Sequence, residues 1–108
     1  MATSVDIGGL QFVCVQMKDA DFSDIAAIYV ILCVGQGGSW TVLDVGQSGE
    51  LGQRIDSHDR KACWERKCVS GNIWVCVYPM PTSRHSKEQR LQVEKRLREQ
   101  YRPLCGTR

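Results

Sequence analysis

Hydrophobic and polar positions along the chain predict several β-strands. Residues 25–34 are an apolar run rich in β-branched side chains, and residues 40–45 form a second run after a glycine-rich segment. Two such runs, joined in this way, are typical of an antiparallel hairpin. Residues 72–78 predict a further strand, which ends at two closely spaced prolines. The shorter alternating run at residues 10–17 predicts an additional strand, whose position the pattern leaves open.

The segment at residues 49–62 has the period of a helix rather than that of a strand. A helix over this segment has an apolar stripe formed by Leu51, Ile55 and Ala62. His58 lies at the centre of that stripe and Arg54 at its edge. An imidazole and a guanidinium turned toward a small core are costly to desolvate unless they are paired, bound to a metal or exposed in a cleft.

Residues 86–101 predict a second helix. Ser86 and Gln89 have the spacing of a capping box, and Pro103 stops the helix at the other end. Glu94 falls on the inward side of this helix, among the apolar positions Leu91, Leu97 and Tyr101. A glutamate in the middle of an apolar stripe requires a partner. A cleft lined by Glu94, Arg54 and His58 is one explanation, and a structural ion pair between Arg54 and Glu94 is another.

The order of elements is therefore strand, strand, helix, strand, helix, preceded by one further strand. At 108 residues the chain predicts a single domain of the α+β class. Charge is unevenly distributed over this domain. Residues 1–50 contain one basic and six acidic side chains, whereas residues 82–108 contain eight basic and three acidic ones. The basic end thus includes the helix of Glu94 and is a candidate surface for phosphate groups, although a solvated helix face explains it as well.

Six cysteines occur without any Cys-x-x-Cys spacing, several of them inside apolar runs. This pattern favours reduced core thiols. Zinc ligation by Cys63 and Cys68, together with His58 or His85, is the alternative. No secretory signal pattern is visible, and the longest apolar run has ten residues, too few to cross a bilayer. A reducing, cytoplasmic location away from membranes is the resulting expectation.

Several of these residues, read in chain order, resemble the motifs of the GIY-YIG nuclease family. The segments and residues concerned are Ala27-Ile-Tyr29, with Ala27 where the glycine of the first motif usually stands, Asp44-Val-Gly46-Gln47-Ser48, Arg54, His58 and Glu94. The resemblance covers most of the chain and implies a small three-stranded antiparallel sheet flanked by helices. Residues 25–108 would form this nuclease-like domain, and residues 1–24 an extension with a possible extra strand.

Two further positions depart from the family pattern. Asp44 stands where the tyrosine of the second motif is expected, and Gly106 stands where many members have asparagine. The resemblance implies hydrolysis of DNA phosphodiester bonds with one Mg²⁺ or Mn²⁺ ion, bound by Glu94. It assigns phosphate stabilisation to Arg54 and activation of water to Tyr29 with His58, and it leaves Asp44 as a doubtful catalytic residue.

Nucleic-acid binding is assigned to a wider set of residues, formed by Gln47, Ser48, Arg90, Lys95, Arg98 and Arg102. The four basic residues of this set recur at helical spacing, which favours a continuous basic face. RNA stays open as a substrate in place of DNA. One alternative function is a nucleic-acid-binding domain that has lost cleavage. Another is a protein-interaction domain with an exposed Trp64 as an anchor, beside Trp40 and Trp74.

Overall fold

The computed structural model describes residues 2–106 and shows an α+β fold with a five-stranded antiparallel sheet and three α-helices. The strands are β1 Thr3–Ile7, β2 Leu10–Gln16, β3 Ala27–Val34, β4 Trp40–Ser48 and β5 Ile73–Pro79. The helices are α1 Leu51–Asp56, α2 Lys61–Lys67 and α3 Lys87–Tyr101. The strand order β1-β2-β5-β3-β4 leaves β4 at one edge of the sheet.

The sheet has two strands more than the three of the expected fold. The alternating run at residues 10–17 is β2, and it pairs with the central strand β5. The sequence did not predict β1, which pairs with β2 through a turn at Gly8 and Gly9, both with positive φ. Residues 3–16 therefore pair within the same sheet as the rest of the domain. The predicted hairpin is confirmed as β3 and β4.

The sheet separates two groups of buried side chains. Helix α3 packs on one face, where Leu97 joins Phe12, Ile28 and Val30. Helices α1 and α2 pack on the other face, and this second group contains Tyr29, Ile31, Leu43, Leu51, Ile55, Trp64 and Cys105. Helix α3 and the segment of His58 thus lie on opposite faces of the sheet, whereas Cys105, after α3, is buried on the face of His58.

The helix predicted over residues 49–62 is wrong as a single helix, because the chain breaks between α1 and α2. At the break, the Ser57 hydroxyl donates to the Gln53 carbonyl oxygen at 2.8 Å. The backbone N–H of Arg60 donates to His58 Nδ1 at 3.1 Å. Side chains therefore bind the backbone groups that a continuous helix would use. The break turns His58 inward and leaves Ala62 exposed.

The second predicted helix is confirmed as α3, including its capping box. It ends before Arg102, which has a left-handed conformation with φ of 49°. Glu94 is half-buried, with 24% of its side chain exposed, and Leu91 of the predicted stripe is exposed. Arg90 and Leu97 are the buried residues of α3 instead. The helix is rotated relative to the predicted stripe, so that a guanidinium rather than a carboxylate is enclosed.

All six cysteines form disulfides, and the predicted reduced thiols are therefore wrong. The pairs are Cys14–Cys76, Cys33–Cys68 and Cys63–Cys105. Sequence spacing could not reveal them, because the partners are 62, 35 and 42 residues apart. The alternative of zinc ligation by Cys63 and Cys68 is excluded by the same pairing. Over residues 2–106, no helix has the length and hydropathy that a membrane span needs.

Candidate functional site

Tyr29 and Gly46 face each other across neighbouring strands. They are register partners in β3 and β4, and the Tyr29 side chain is in the buried group beneath α1 and α2. A Cβ atom at Gly46 would overlap the hydroxyl and Cζ of Tyr29. Glycine at this position is therefore what allows the tyrosine ring to lie across β4.

His58 holds the Tyr29 hydroxyl. Tyr29 Oη and His58 Nε2 are 2.6 Å apart, and both residues are buried. Because His58 Nδ1 accepts the Arg60 backbone N–H, the proton of a neutral His58 ring lies on Nε2. His58 then donates to the phenol oxygen, which leaves the Tyr29 hydroxyl proton for another acceptor. The pair thus orients the phenol group.

Both members of this pair are neutral near pH 7. Burial, followed by the positive charges of Arg54 and Arg60, lowers the pKa of His58 to about 4. Burial also raises the pKa of the Tyr29 hydroxyl, while the charge of Arg54 acts in the opposite direction. Tyr29 is accordingly a hydrogen-bond donor at neutral pH. It accepts a proton only when a further positive charge favours the phenolate.

The lowered pKa of His58 predicts that the domain loses stability in mild acid. The unfolded chain takes up a proton at His58 near pH 6.5, whereas the folded protein does so only near pH 4. The free energy of unfolding should therefore fall as the pH drops from 6.5 to 4, by up to about 1.4 kcal/mol per pH unit for this group. Denaturant unfolding at several pH values measures this slope.

A His58→Gln variant provides the control, because it removes the titrating group and keeps a side chain that can form hydrogen bonds. Its stability should depend less steeply on pH over the same range. An NMR titration of the His58 ring protons reports the pKa directly. Parallel stability curves for the two proteins, together with a ring pKa near 6.5, would contradict the assignment.

Arg54 lies between the Tyr29–His58 pair and the surface. Its side chain is 36% exposed, and its Nη1 atom is 3.1 Å from the Asp59 carboxylate. Among the described residues the ion pairs of Arg54 and Glu94 are with Asp59 and Arg98, respectively, and not with each other. Arg54 also lines an open groove, which we call the Arg90 groove. The other lining residues are Gln47, Ser48, Gly49, Glu50, Gln53, Ser57, Lys87 and Arg90.

Asp44 is fully buried and saturated with donors. Its Oδ1 accepts from Val45 N, Arg60 Nη2 and Arg98 Nη2, and its Oδ2 accepts from Arg60 Nε and Trp64 Nε1. An extra residue in β4, Leu43, produces a bulge just before Asp44. These contacts hold α2 and α3 against the edge strand. A carboxylate bound in this way does not have the free lone pairs that a general base or a metal ligand needs, so we interpret Asp44 as structural.

Asp44 and Gly106, at two positions where the sequence departs from the motifs it resembles, lie in one cluster. Gly106 has φ of 84°, and a Cβ atom there would come within 2.8 Å of Arg98 Nη2 and 3.2 Å of Arg60 Nε. These are the same guanidinium groups that bind Asp44. A side chain at position 106 would therefore lie against the guanidinium groups of Arg60 and Arg98, which bind the Asp44 carboxylate.

Glu94 belongs to a different groove. Its neighbours there include Arg98, Arg102, Glu99 and Gly106. Its Oε2 atom is 4.0 Å from Arg98 Nε. Over the described part of the chain, no group of three or more His, Cys, Asp or Glu side chains could hold a metal ion. Glu94 alone would leave most ligand positions of Mg²⁺ to water and phosphate, and its nearby guanidinium disfavours a cation. The residues thus do not form a preorganised metal site.

The basic residues predicted to bind nucleic acid are not one continuous face. Arg90 is buried, and it bonds to Gln47 in the Arg90 groove. Arg98 binds Asp44, with 11% of its side chain exposed. Lys95 and Arg102 are exposed and line the groove of Glu94. The helical spacing of the arginines did not reveal this division, because it is the neighbouring strand that decides which of them is enclosed.

The exposed tryptophan anchor predicted at Trp64 is wrong. Trp64 is 1% exposed, its ring lies 4.6 Å from the His58 ring at an interplanar angle of 48°, and its indole N–H donates to Asp44. Trp40 is the tryptophan at the surface, with 36% exposed. The sequence reading also missed Arg60, although its charge lies beside both Asp44 and His58. The one feature of the sequence that could have indicated a role for Arg60 is Asp44 on a predicted strand, because a buried aspartate needs a cationic partner.

Comparison with models of protein families, with curated proteins and with solved structures gives no match to this chain.

Proposed function

We propose that this domain is an endonuclease that hydrolyses DNA phosphodiester bonds with the help of a divalent metal ion. The observation that carries the proposal is the convergence of Tyr29, Gly46, Arg54 and His58. They come from two strands, one helix and one break between helices, yet they contact or influence one another beside an open basic groove. Such a cluster is what the resemblance to GIY-YIG nucleases implies.

The chemistry of the cluster suits a phosphate substrate. Arg54 offers a planar fork of donors to phosphate oxygens at the mouth of the groove. Tyr29, held by His58, offers a hydroxyl that donates to an oxygen; burial raises the pKa of this hydroxyl, and the charge of Arg54 opposes that effect without reversing it. Tyr29 is only 1% exposed, so a substrate would contact its hydroxyl only after the surrounding side chains have moved.

A divalent ion, when bound, would polarise the phosphate and neutralise the departing oxygen. Glu94 is the residue to which the resemblance assigns it. Its position beside Arg98, in a groove that Arg54 does not line, does not fit a ready metal site.

The position of Glu94 favours a second function, nucleic-acid binding without cleavage. In that case Arg54 and Arg90 would bind backbone phosphates, and the Tyr29–His58 pair would be structural.

The three disulfides bear on the location of the protein in either case, since they favour an oxidising compartment over the predicted cytoplasm.

Plasmid cleavage in Mg²⁺ or Mn²⁺ tests the first function. Removing the donor fork in Arg54→Ala or the hydroxyl in Tyr29→Phe should reduce the nicking rate by about 100-fold or more. Tyr78→Phe is the matched control for the phenol, because Tyr78 lies on the neighbouring strand outside the cluster. Glu94→Ala, compared with Glu99→Ala in the same groove, tests the assigned metal ligand.

The two functions differ in what this assay shows. Metal-dependent nicking that Tyr29→Phe abolishes and Tyr78→Phe retains supports the nuclease. Salt-sensitive DNA binding with intact plasmid in both metals would contradict the nuclease and support the binding domain. Absence of both at low salt would contradict the two proposals together.

A further inference from the structure

The Arg90 groove contains a buried cation without an anionic partner. Arg90 is only 5% exposed, and its Nε donates to Gln47 Oε1 at 3.1 Å. Its Nη1 is buried and has no hydrogen-bond partner within residues 2–106. None of the ion pairs in this part of the chain includes Arg90. Leaving a buried guanidinium in this state is costly, and an anion in the groove would remove the cost.

Two neutral side chains beside Arg90 have donors left for the same anion. The Gln47 amide turns its oxygen to Arg90, which leaves its NH₂ group for another acceptor. The Ser48 hydroxyl accepts from the Glu50 backbone N–H at 2.9 Å, and so its own proton stays available.

The charged side chains that line the groove are mostly positive, which favours an anion. Lys87 and Arg54 line it together with Arg90, and Glu50 is the one acidic residue among its described lining residues. A tetrahedral anion with several charged oxygens can accept from donors that converge from different elements, as β4, α1 and α3 do here. The groove volume of about 550 Å³ is ample for a phosphate group.

We propose that the Arg90 groove is a phosphate-binding site, with Arg90 as its buried anchor and Gln47 and Ser48 as neutral donors. Neither Tyr29 nor His58 lines the groove, so the proposed phosphate site is separate from the Tyr29–His58 pair. Phosphate binding in this groove does not depend on the proposed function; only the identification of nucleic acid as the molecule that carries the phosphate does. That phosphate is either an internal phosphodiester or a terminal phosphate of the nucleic acid, and the oligonucleotide experiment below distinguishes the two.

The first measurement is a titration of the wild-type protein with inorganic phosphate, followed by NMR. The Arg90 Nε–H and Gln47 side-chain NH₂ signals should shift together and saturate. Arg90→Gln should weaken the binding about tenfold or more, as expected when a charged hydrogen-bond partner is lost. Arg90→Lys keeps the charge without the fork and should fall between the two. Arg66→Gln, at an exposed position of α2, should bind like the wild type.

The wild-type titration decides the proposal even if Arg90→Gln does not fold. Saturable shifts at Arg90 and Gln47 support it, and their absence at millimolar phosphate overturns it. Equal affinity of Arg66→Gln and a folded Arg90→Gln also overturns it. Because no cleavage is measured, failure of the nuclease proposal leaves this result unchanged.

Two oligonucleotides of one sequence, with and without a 5′-phosphate, identify the source. Tighter binding of the phosphorylated strand by the wild type, and not by Arg90→Lys, assigns the groove to a terminal phosphate. Equal binding of both strands, weakened about equally in Arg90→Lys, assigns it to the internal backbone. If Arg90→Lys binds both strands as tightly as the wild type does, the site has no role in nucleic-acid recognition.

Discussion

Replacing Asp44 with alanine should lower the free energy of unfolding by about 3–5 kcal/mol. The carboxylate is fully buried and binds two guanidinium groups and the Trp64 indole N–H. Alanine would leave Arg60 and Arg98 without their shared anion, with 27% and 11% of their side chains exposed. It would also detach α2 and α3 from the edge strand. Denaturant unfolding, monitored by tryptophan fluorescence, measures the loss.

Asp21→Ala is the matched control, since Asp21 is exposed and its replacement should change stability by less than about 0.5 kcal/mol. Asp44→Asn adds a test of chemistry, because it keeps the shape and removes the charge. A stable Asp44→Asn protein that binds DNA normally but has lost cleavage would show that Asp44 acts in the reaction. Loss of stability in both Asp44 variants is the result expected of a structural carboxylate.

Replacing Gly46 with alanine should destabilise the domain by about 1–3 kcal/mol through overpacking. The added Cβ atom overlaps the Tyr29 hydroxyl and ring. Because β3 and β4 are hydrogen-bonded neighbours, the strand cannot retreat, and the ring must move away from His58. We therefore expect the hydrogen bond between Tyr29 and His58 to be lost as well. Thermal unfolding and the His58 ring signals in NMR report the two effects.

The Gly49→Ala protein separates this contact from a general effect of replacing glycine. A Cβ atom at Gly49 meets only Arg90 Nη2, at an ordinary 3.6 Å. A Tyr29→Leu replacement that restores stability to Gly46→Ala would demonstrate the contact, because the two changes are then coupled. Equal losses in the Gly46 and Gly49 variants, with no rescue, would contradict it.

The sequence predicted most of the regular elements because their patterns are local. The capping box at Ser86 and Gln89 and the β-branched run of β3 depend on neighbours a few residues away. The strand β1 escaped prediction because its short segment has only one fully buried side chain, Ile7. The break at Ser57 and His58 escaped because a side chain, His58 Nδ1, accepts the Arg60 N–H in place of a helical carbonyl.

The sequence by itself also supplied the candidate residues Tyr29, Gly46, Arg54 and His58, through their resemblance to the motifs of a nuclease family. Only the tertiary structure decided which charges are enclosed. Asp44 binds Arg60, just before α2, and Arg98 of α3. Arg90, and not Glu94, is the buried charged residue of α3. Each cysteine forms its disulfide with a partner at least 35 residues away. Desolvation and pairing depend on what packs against a side chain from distant segments, and a one-dimensional pattern does not contain that information.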